Sequence, residues 1–148
     1  KERVLDAYCG IGTIGLVASK KAAEIFGVEV VDEAIKDAIK NAKSNGITNA
    51  RFYLGDAGEF MLNMAKEKQV FDVVFMDPPR SGADEKFLKS LLTLSPKKIV
   101  YVSCDPATLA RDVKILSSKY EVVSVSPVDM FPMTFHVENV VSLSYKKD

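Results

Sequence analysis

One short segment, YVSCDP at residues 101–106, joins a strand-like run to a helix-like one. The run Ile99 to Val102 is apolar and β-branched, as buried strands are, and Ala107 to Ser117 has a helical pattern. Cys104 therefore lies at a strand-to-helix junction, the edge at which open α/β sheets bind their ligands. A thiol beside a helix N-terminus ionises more readily and is then nucleophilic. The alternative is a buried, inert cysteine.

The rest of the chain repeats this alternation of apolar runs and helix-like segments. Strands are predicted at residues 3–6, 23–30, 50–54, 70–76, 99–102, 120–128 and 139–145, and helices at 14–20, between 32 and 45, and at 57–68, 84–94 and 107–117. The fourth strand is almost entirely apolar, as central parallel strands are, and the sixth alternates in part, as edge or antiparallel strands do. This order predicts a single domain at 1–148, with a doubly wound, mostly parallel seven-stranded α/β sheet whose last strand is antiparallel.

The second helix has recognisable ends. Asp32 is placed to cap its N-terminus, and Asn45-Gly46 is placed to end it. Its apolar positions, which include Ile35 and Ile39, recur at helical spacing and predict the face that packs on the sheet.

Composition restricts the possible classes of protein. The chain has 148 residues, 47% of them apolar and 27% charged, which is typical of one soluble globular domain. Twenty basic and twenty acidic side chains cancel, so no overall basic footprint indicates nucleic acid. Two cysteines and one histidine argue against a disulfide framework and a structural zinc site, and they suit a reducing cytoplasm. No signal peptide or membrane-spanning run is present, and the abrupt start before the first strand suggests a fragment.

Two features near the N-terminus are typical of a nucleotide-binding loop. Gly10, Gly12 and Gly15 fit the pattern G-x-G-x-x-G between a strand and a helix, although a plain glycine turn would look the same. Glu29 follows about twenty residues after the first of these glycines, at the end of the next strand. An acidic residue at that spacing is placed to accept hydrogen bonds from a ribose diol, and a solvated loop carboxylate is the alternative.

Further acidic residues follow the later strands. Asp56 is placed either to touch the adenine side of a nucleotide or to cap the next helix. Asp77 precedes two prolines, which predict a rigid, extended loop at the sheet edge. The segment DMFPMTFHVE, residues 129–138, is too apolar for an idle surface loop and can bring Glu138 to the same edge as Cys104. A thiol nucleophile, a carboxylate base and a bound cofactor are the parts of a covalent-catalysis site.

These stretches resemble known families. DAYCGIG at residues 6–12, with Glu29, resembles the cofactor loop of class I S-adenosylmethionine-dependent methyltransferases. DPPRSG at 77–82, YVSCD at 101–105 and DMFPMTFHVE at 129–138 together resemble the RNA 5-methyluridine methyltransferase family, and the match covers the whole chain.

The resemblance implies a mechanism and a set of site residues. The Cys104 thiolate adds to C6 of uracil, C5 takes the methyl group of S-adenosylmethionine, and Glu138 removes the C5 proton before Cys104 is released. Cys9 is expected only to pack. The implied cofactor-binding residues are Tyr8, Gly10, Gly12, Glu29, Asp56 and Asp77. Arg80 is expected to orient the base or a phosphate, or only to pair with a carboxylate, and His136 to hold the base or the Glu138 loop, or to be a satisfied structural histidine.

The resemblance also sets expectations about partners. Family members have an upstream RNA-binding β-barrel domain, and some hold an iron–sulfur cluster there, so we expect RNA capture in a missing domain and no metal in this chain. Ribosomal RNA is preferred to transfer RNA as the expected substrate. A cytosine-C5 RNA methyltransferase and a cofactor-binding module without activity of its own are the alternatives.

Overall fold

Strands and helices alternate along the chain, and a computed structural model describes them over residues 1–146. The strands are β1 (Glu2–Ala7), β2 (Ala22–Glu29), β3 (Ala50–Leu54), β4 (Val73–Met76), β5 (Lys98–Ser103), β6 (Tyr120–Val128) and β7 (Glu138–Tyr145). The helices are α1 (Thr13–Ala18), α2 (Asp32–Ser44), α3 (Ala57–Lys66), α4 (Glu85–Leu94) and α5 (Pro106–Leu116).

The seven strands form one sheet in the order β3-β2-β1-β4-β5-β7-β6. Pairing is parallel from β3 through β5, whereas β7 is antiparallel to both β5 and β6. Because β6 and β7 follow each other without a helix, a hairpin-like return is the only short connection, and it reverses the last strand. The predicted fold class is therefore confirmed.

Helices cover the two faces of the sheet unequally. The main core lies under α3, α4 and α5, where Met61, Leu88 and Leu116 pack on the sheet and are almost fully buried. A smaller cluster on the other face gathers around Val4 and Ile25, and Ala18 of α1 packs against it. This doubly wound arrangement leaves the carboxyl ends of the parallel strands at one open edge.

Some local predictions are wrong. Asp32 does not cap α2, because the helix already includes it: Val31 is the N-cap residue, and the Asp32 carboxylate pairs with Lys36 one turn later. Ile39 is 52% exposed, so it lies off the buried face. β4 begins three residues later than predicted, at Val73 instead of Val70.

β6 lies at the edge of the sheet and is antiparallel to β7, as its partly alternating sequence predicted. Tyr120 is buried, but every following residue of the strand is exposed. The valines of β6 are exposed to solvent at this edge of the sheet.

Candidate functional site

An open cavity of about 470 Å³ lies at the carboxyl edge of the sheet. It opens where β1, β2, β3 and β4 end, which is the position that the strand order of an open α/β sheet predicts for a ligand. Its lining includes one tyrosine and four acidic residues, Tyr8, Glu29, Asp56, Asp77 and Asp84.

The glycine loop between β1 and α1 forms one wall of this edge. Gly12 is the N-cap residue of α1 at φ +84°, and a Cβ there would lie 3.1 Å from the ring of Phe52 and 3.3 Å from Ala38, so both the backbone and the space require glycine. The amide of Gly15 donates to Asp6 Oδ2 at 2.8 Å, and this bond holds the first turn of α1 to the end of β1. Gly10 and Gly12 therefore shape the edge from the loop and do not line the cavity itself.

Glu29 lies on the cavity wall, as predicted, and it also organises the backbone. Its Oε2 accepts the amide of Gly10 at 3.0 Å, and its Oε1 accepts those of Val30 at 2.8 Å and Val31 at 3.1 Å. These bonds tie the glycine loop to the end of β2. A carboxylate has about four acceptor positions, so Glu29 keeps the capacity to accept a further hydroxyl.

Two helix-capping aspartates face each other across Gly58. Asp56 Oδ1 accepts the amide of Glu59 at 2.8 Å and caps α3, while Asp84 Oδ1 accepts the amide of Phe87 at 2.7 Å and caps α4. Of the two alternatives for Asp56, the structure shows the cap, and it also places the residue on the cavity wall. Asp84 was not predicted, although an aspartate just before the first apolar turn of a helix is a recognisable capping signal.

The cavity is acidic and contains an unpaired hydroxyl. Burial raises the pKa of Asp77, and the charge of Glu138 raises it further. The Tyr8 hydroxyl is buried and makes no hydrogen bond of standard geometry to the described residues. Its pKa is raised first by burial and then by the charges of Asp84 and Asp56. A cationic ligand that also offers hydrogen-bonding groups would suit this wall.

Asp6 and Cys9 are buried beneath the loop. Asp6 Oδ1 has no partner among the described residues, and burial raises the pKa of Asp6 from 3.8 to about 7, with the Gly15 hydrogen bond opposing the rise and Asp77 adding to it. Cys9 is 8% exposed, and burial raises the pKa of its thiol to about 12. The expectation that Cys9 only packs agrees with both observations.

Cys104 follows β5 and is a half-buried free thiol at the predicted strand-to-helix junction. The next residue, Asp105, caps α5 by accepting the amides of Ala107 and Thr108, each at 2.9 Å. The last pair between β5 and β7 is Ser103 opposite Asn139, so Cys104, which follows Ser103, and Glu138, which precedes Asn139, lie at the same end of these two strands.

These two residues adjoin the cavity without lining it. Glu138 begins β7, and its charge acts on Asp77 of the cavity wall. Asp77, Cys104 and Glu138 therefore lie together at the ends of three neighbouring strands, β4, β5 and β7.

Asp112 joins the Asp77–Gly82 loop to β5 and α5, and sequence reasoning missed it. Its fully buried carboxylate accepts the Tyr101 hydroxyl at 2.7 Å and the Ala83 amide at 2.8 Å on Oδ2. Arg111 donates to its Oδ1 at 2.8 Å and to the carbonyl oxygen of Ser81 at 2.9 Å. An Arg-Asp pair inside an amphipathic helix carries no local signal for such contacts, because the partners lie 11 residues away at Tyr101, 29 at Ala83 and 30 at Ser81.

The two predicted substrate residues, Arg80 and His136, are not part of the cavity lining. Arg80 is exposed, and its carbonyl oxygen accepts the Thr108 hydroxyl at 3.1 Å. The pKa of Asp105 is lowered first by the hydrogen bond from the Thr108 amide, and the charge of Arg80 contributes least. Asp105 is therefore only a weak ionic partner of Arg80. His136 is half-buried, and its ring makes no hydrogen bond to residues 1–146. This does not favour the alternative that His136 is a structural histidine with its hydrogen bonds satisfied.

Within the part of the chain that the structure describes, no group of three or more His, Cys, Asp or Glu side chains could hold a metal ion. None of the helices described here is both long and apolar enough to cross a membrane.

Comparison with known proteins identifies the family of this chain. The family model described as tRNA (Uracil-5-)-methyltransferase matches residues 1–146. The chain belongs to this family. Among curated relatives, RNA methyltransferases of Bacillus anthracis and Listeria innocua are 52% and 53% identical to it over 98% and 99% of the chain. The chain spans 32% of the length of each of them.

A solved structure agrees with the family assignment. The Pyrococcus abyssi tRNA (uracil-54, C5)-methyltransferase, in complex with S-adenosyl-L-homocysteine, is 37% identical with a TM-score of 0.81, over 97% of this chain and 34% of that one. TrmN from Thermus thermophilus, 22% identical with a TM-score of 0.76 over 98% of this chain and 44% of that one, shares the fold. The predicted family, the class I methyltransferase fold and S-adenosylmethionine as the cofactor are confirmed.

Proposed function

We propose that this chain is the catalytic part of an RNA methyltransferase that transfers a methyl group from S-adenosylmethionine to C5 of a uridine through a covalent bond between Cys104 and C6. The observation that carries the proposal is the strand register: Cys104 and Glu138 flank the last pair between β5 and β7, while Asp77 follows the neighbouring strand β4 beside the acidic cavity. A nucleophile, a base and a cofactor site are then neighbours.

The cavity residues fit S-adenosylmethionine. Its sulfonium and ammonium groups are positive, and Glu29, Asp56, Asp77 and Asp84 supply carboxylates on the wall. The buried, unpaired Tyr8 hydroxyl would gain a partner from a polar ligand. We propose that Glu29 accepts the ribose hydroxyls, that Asp56 faces the adenine side, and that Tyr8 and Asp77 hold the remainder. When bound, the cofactor supplies an electrophilic methyl group.

The chemical steps fall to Cys104 and Glu138. The Cys104 thiolate forms a bond to C6, and the electrons of the C5–C6 double bond move to C5, which becomes enolate-like. C5 then bonds to the methyl carbon as the carbon–sulfur bond of the cofactor breaks. The Glu138 carboxylate takes the C5 proton, the double bond re-forms, and the C6–S bond breaks to release the thiolate. Positioned proton transfer of this kind typically contributes about 10²–10⁴-fold.

The substrate RNA and its capture are also proposals. The chain is electrically neutral and spans about a third of its relatives, so we infer that other parts of the protein capture the RNA and that the isolated chain methylates poorly. The family description and the Pyrococcus abyssi enzyme both name tRNA, so tRNA is the first substrate to test against the rRNA expected from the sequence. We infer a cytoplasmic location from two free cysteines, which suit a reducing compartment.

A trapping experiment tests the mechanism. The protein is incubated with S-adenosylmethionine and tRNA or rRNA fragments that contain 5-fluorouridine, and the products are weighed under denaturing conditions. Fluorine cannot leave C5 as a proton does, so we expect a methylated covalent adduct with the wild type and none with Cys104→Ala. Glu138→Gln should still form the adduct, because proton removal follows it. Full-length protein without any adduct on either RNA would refute the proposal, and an adduct only on 5-fluorocytidine RNA would assign cytosine instead.

A cofactor-binding module without activity of its own is the second candidate. It is favoured by the short span relative to the family, since the cavity lies within this chain while RNA capture is expected elsewhere. Binding of S-adenosylhomocysteine to this chain, together with adduct formation only by the full-length protein, would identify the isolated chain as such a module.

A further inference from the structure

Two apolar side chains of the segment between β6 and β7 extend fully into solvent. Met133 is 102% exposed and Phe135 is 101% exposed, more than any other large hydrophobic residue described. No Lys, Arg, Asp or Glu lies between Met130 and Val137, so this surface offers apolar and aromatic faces instead of charges. A thioether and a phenyl ring held in water are unfavourable unless a ligand covers them.

Local hydrogen bonds hold this segment in a defined turn. The Thr134 amide donates to the carbonyl oxygen of Phe131 at 3.2 Å, and the Thr134 hydroxyl donates to the same oxygen at 2.6 Å. The His136 amide in turn donates to the Thr134 hydroxyl at 3.2 Å. Met133 has a φ of +68°, which a non-glycine residue adopts only when the surrounding structure favours it. These hydrogen bonds therefore hold the turn in a conformation in which the Met133 and Phe135 side chains point into solvent.

The turn borders the reaction site. Phe135 lies three residues before Glu138, which begins β7 at the same edge as Cys104. The charge of Glu138 reaches Asp77 on the cavity wall, so the turn, the thiol and the cavity share one end of the sheet. A ligand that covers Phe135 would therefore lie close to Glu138, the residue proposed to remove the C5 proton.

We propose that Phe135 and Met133 form a stacking platform for an unpaired nucleobase next to the target uridine; this inference rests on the proposed function. A base that reacts at C5 and C6 must leave its stack, which exposes the faces of its neighbours. Aromatic side chains cover such faces without needing a phosphate contact, and this agrees with the lack of charge in the turn. The platform would orient the strand and add affinity without reading sequence.

Two measurements test the platform in different ways. In the full-length protein, Phe135→Ala should raise the concentration of 5-fluorouridine RNA needed for half-maximal adduct formation by about 5- to 150-fold, the range measured for loss of one base stack. Phe135→Trp should restore it, and Val70→Ala, an exposed apolar residue beyond the opposite edge of the sheet, should leave it unchanged. RNA with abasic neighbours on both sides of the uridine should bind the wild type as weakly as intact RNA binds Phe135→Ala.

The second measurement does not need the reaction. This chain contains no tryptophan, so Phe135→Trp and Val70→Trp each place a single fluorophore, and a titration with oligouridine should quench the first and not the second. Quenching in this chain, together with no adduct from the full-length protein, would refute the proposed function and keep the platform. Adduct formation that Phe135→Ala does not alter, or equal quenching at both positions, would overturn the platform and keep the function. Loss of stability of the full-length protein in Phe135→Ala, with unchanged RNA dependence, would indicate an internal contact and overturn it too.

Discussion

Replacing Asp112 by alanine tests how the Asp77–Gly82 loop is held beside Cys104. The carboxylate is fully buried and accepts the Tyr101 hydroxyl at 2.7 Å and the Ala83 amide at 2.8 Å. Alanine removes the oxygen, Oδ2, that accepts both hydrogen bonds and so leaves two buried donors without that partner.

The magnitude follows from those two donors. Tyr101 is 0% exposed and Ala83 is 5% exposed, so water cannot reach either group without local opening. A buried unpaired donor costs about 1–3 kcal/mol, and two of them cost about 2–6 kcal/mol in free energy of unfolding. The Arg111 side chain is 52% exposed, so its lost ion pair adds about 0–1 kcal/mol at most.

Urea denaturation of the wild type, Asp112→Ala and Tyr101→Phe measures this effect. Tyr101→Phe removes one donor but leaves the carboxylate with Ala83 and Arg111, so we expect a loss of only about 1 kcal/mol. Asp112→Ala should also weaken binding of S-adenosylhomocysteine, because the Asp77–Gly82 loop forms part of the cavity wall. An Asp112→Ala variant no less stable than Tyr101→Phe would refute the reasoning.

Three further predictions follow from single contacts. The pKa of Asp6 is about 7 in the folded chain, against an ordinary value of 3.8, so between these two pH values the folded state holds a proton that the unfolded state has released. The free energy of unfolding should therefore fall as pH rises from about 4 to 7, by up to about 1.4 kcal/mol per pH unit, and Asp6→Asn should remove that slope in urea titrations at each pH. Gly82→Ala places a Cβ 2.7 Å from Asp112 Oδ2 and against Arg111 at φ +81°, so its thermal midpoint should fall clearly below that of the wild type. Asp56→Ala should lose about 1 kcal/mol of helix capping while Asp56→Asn keeps it, yet both should weaken cofactor binding in calorimetry if the carboxylate charge matters.

Hydropathy pattern and turn chemistry were sufficient for the architecture. Apolar runs separated by helical patterns predicted five βα units and a final strand pair, and the structure has them. The start of β4 was harder to predict because Phe71 is apolar and 2% exposed although it lies before the strand. Burial and strand conformation are different properties, and an apolar pattern reports only the first.

Capping residues show the same limit of local sequence. Asp56, Asp84 and Asp105 each cap a helix, whereas Asp32, in a similar setting, lies inside its helix and pairs with Lys36. A shift of one residue in where the helix begins changes a cap into a first-turn residue. The packing of the helix on the sheet decides that position, and a capping motif alone cannot.

For the site, sequence alone determined which residue types end which strands, because a glycine loop, an Asp-Pro-Pro turn and a thiol before a helix are local patterns. The expectation that Cys104 and Glu138 share one edge came from those patterns together with the family resemblance. Only the tertiary structure decided that Ser103 pairs with Asn139, which puts Cys104 and Glu138 at one end of β5 and β7, that the Tyr8 hydroxyl is buried near Asp84, and that Asp112 holds the cavity loop. Strand register and buried hydrogen bonds join residues about 30 or more positions apart, and their partners are selected by packing of the whole sheet.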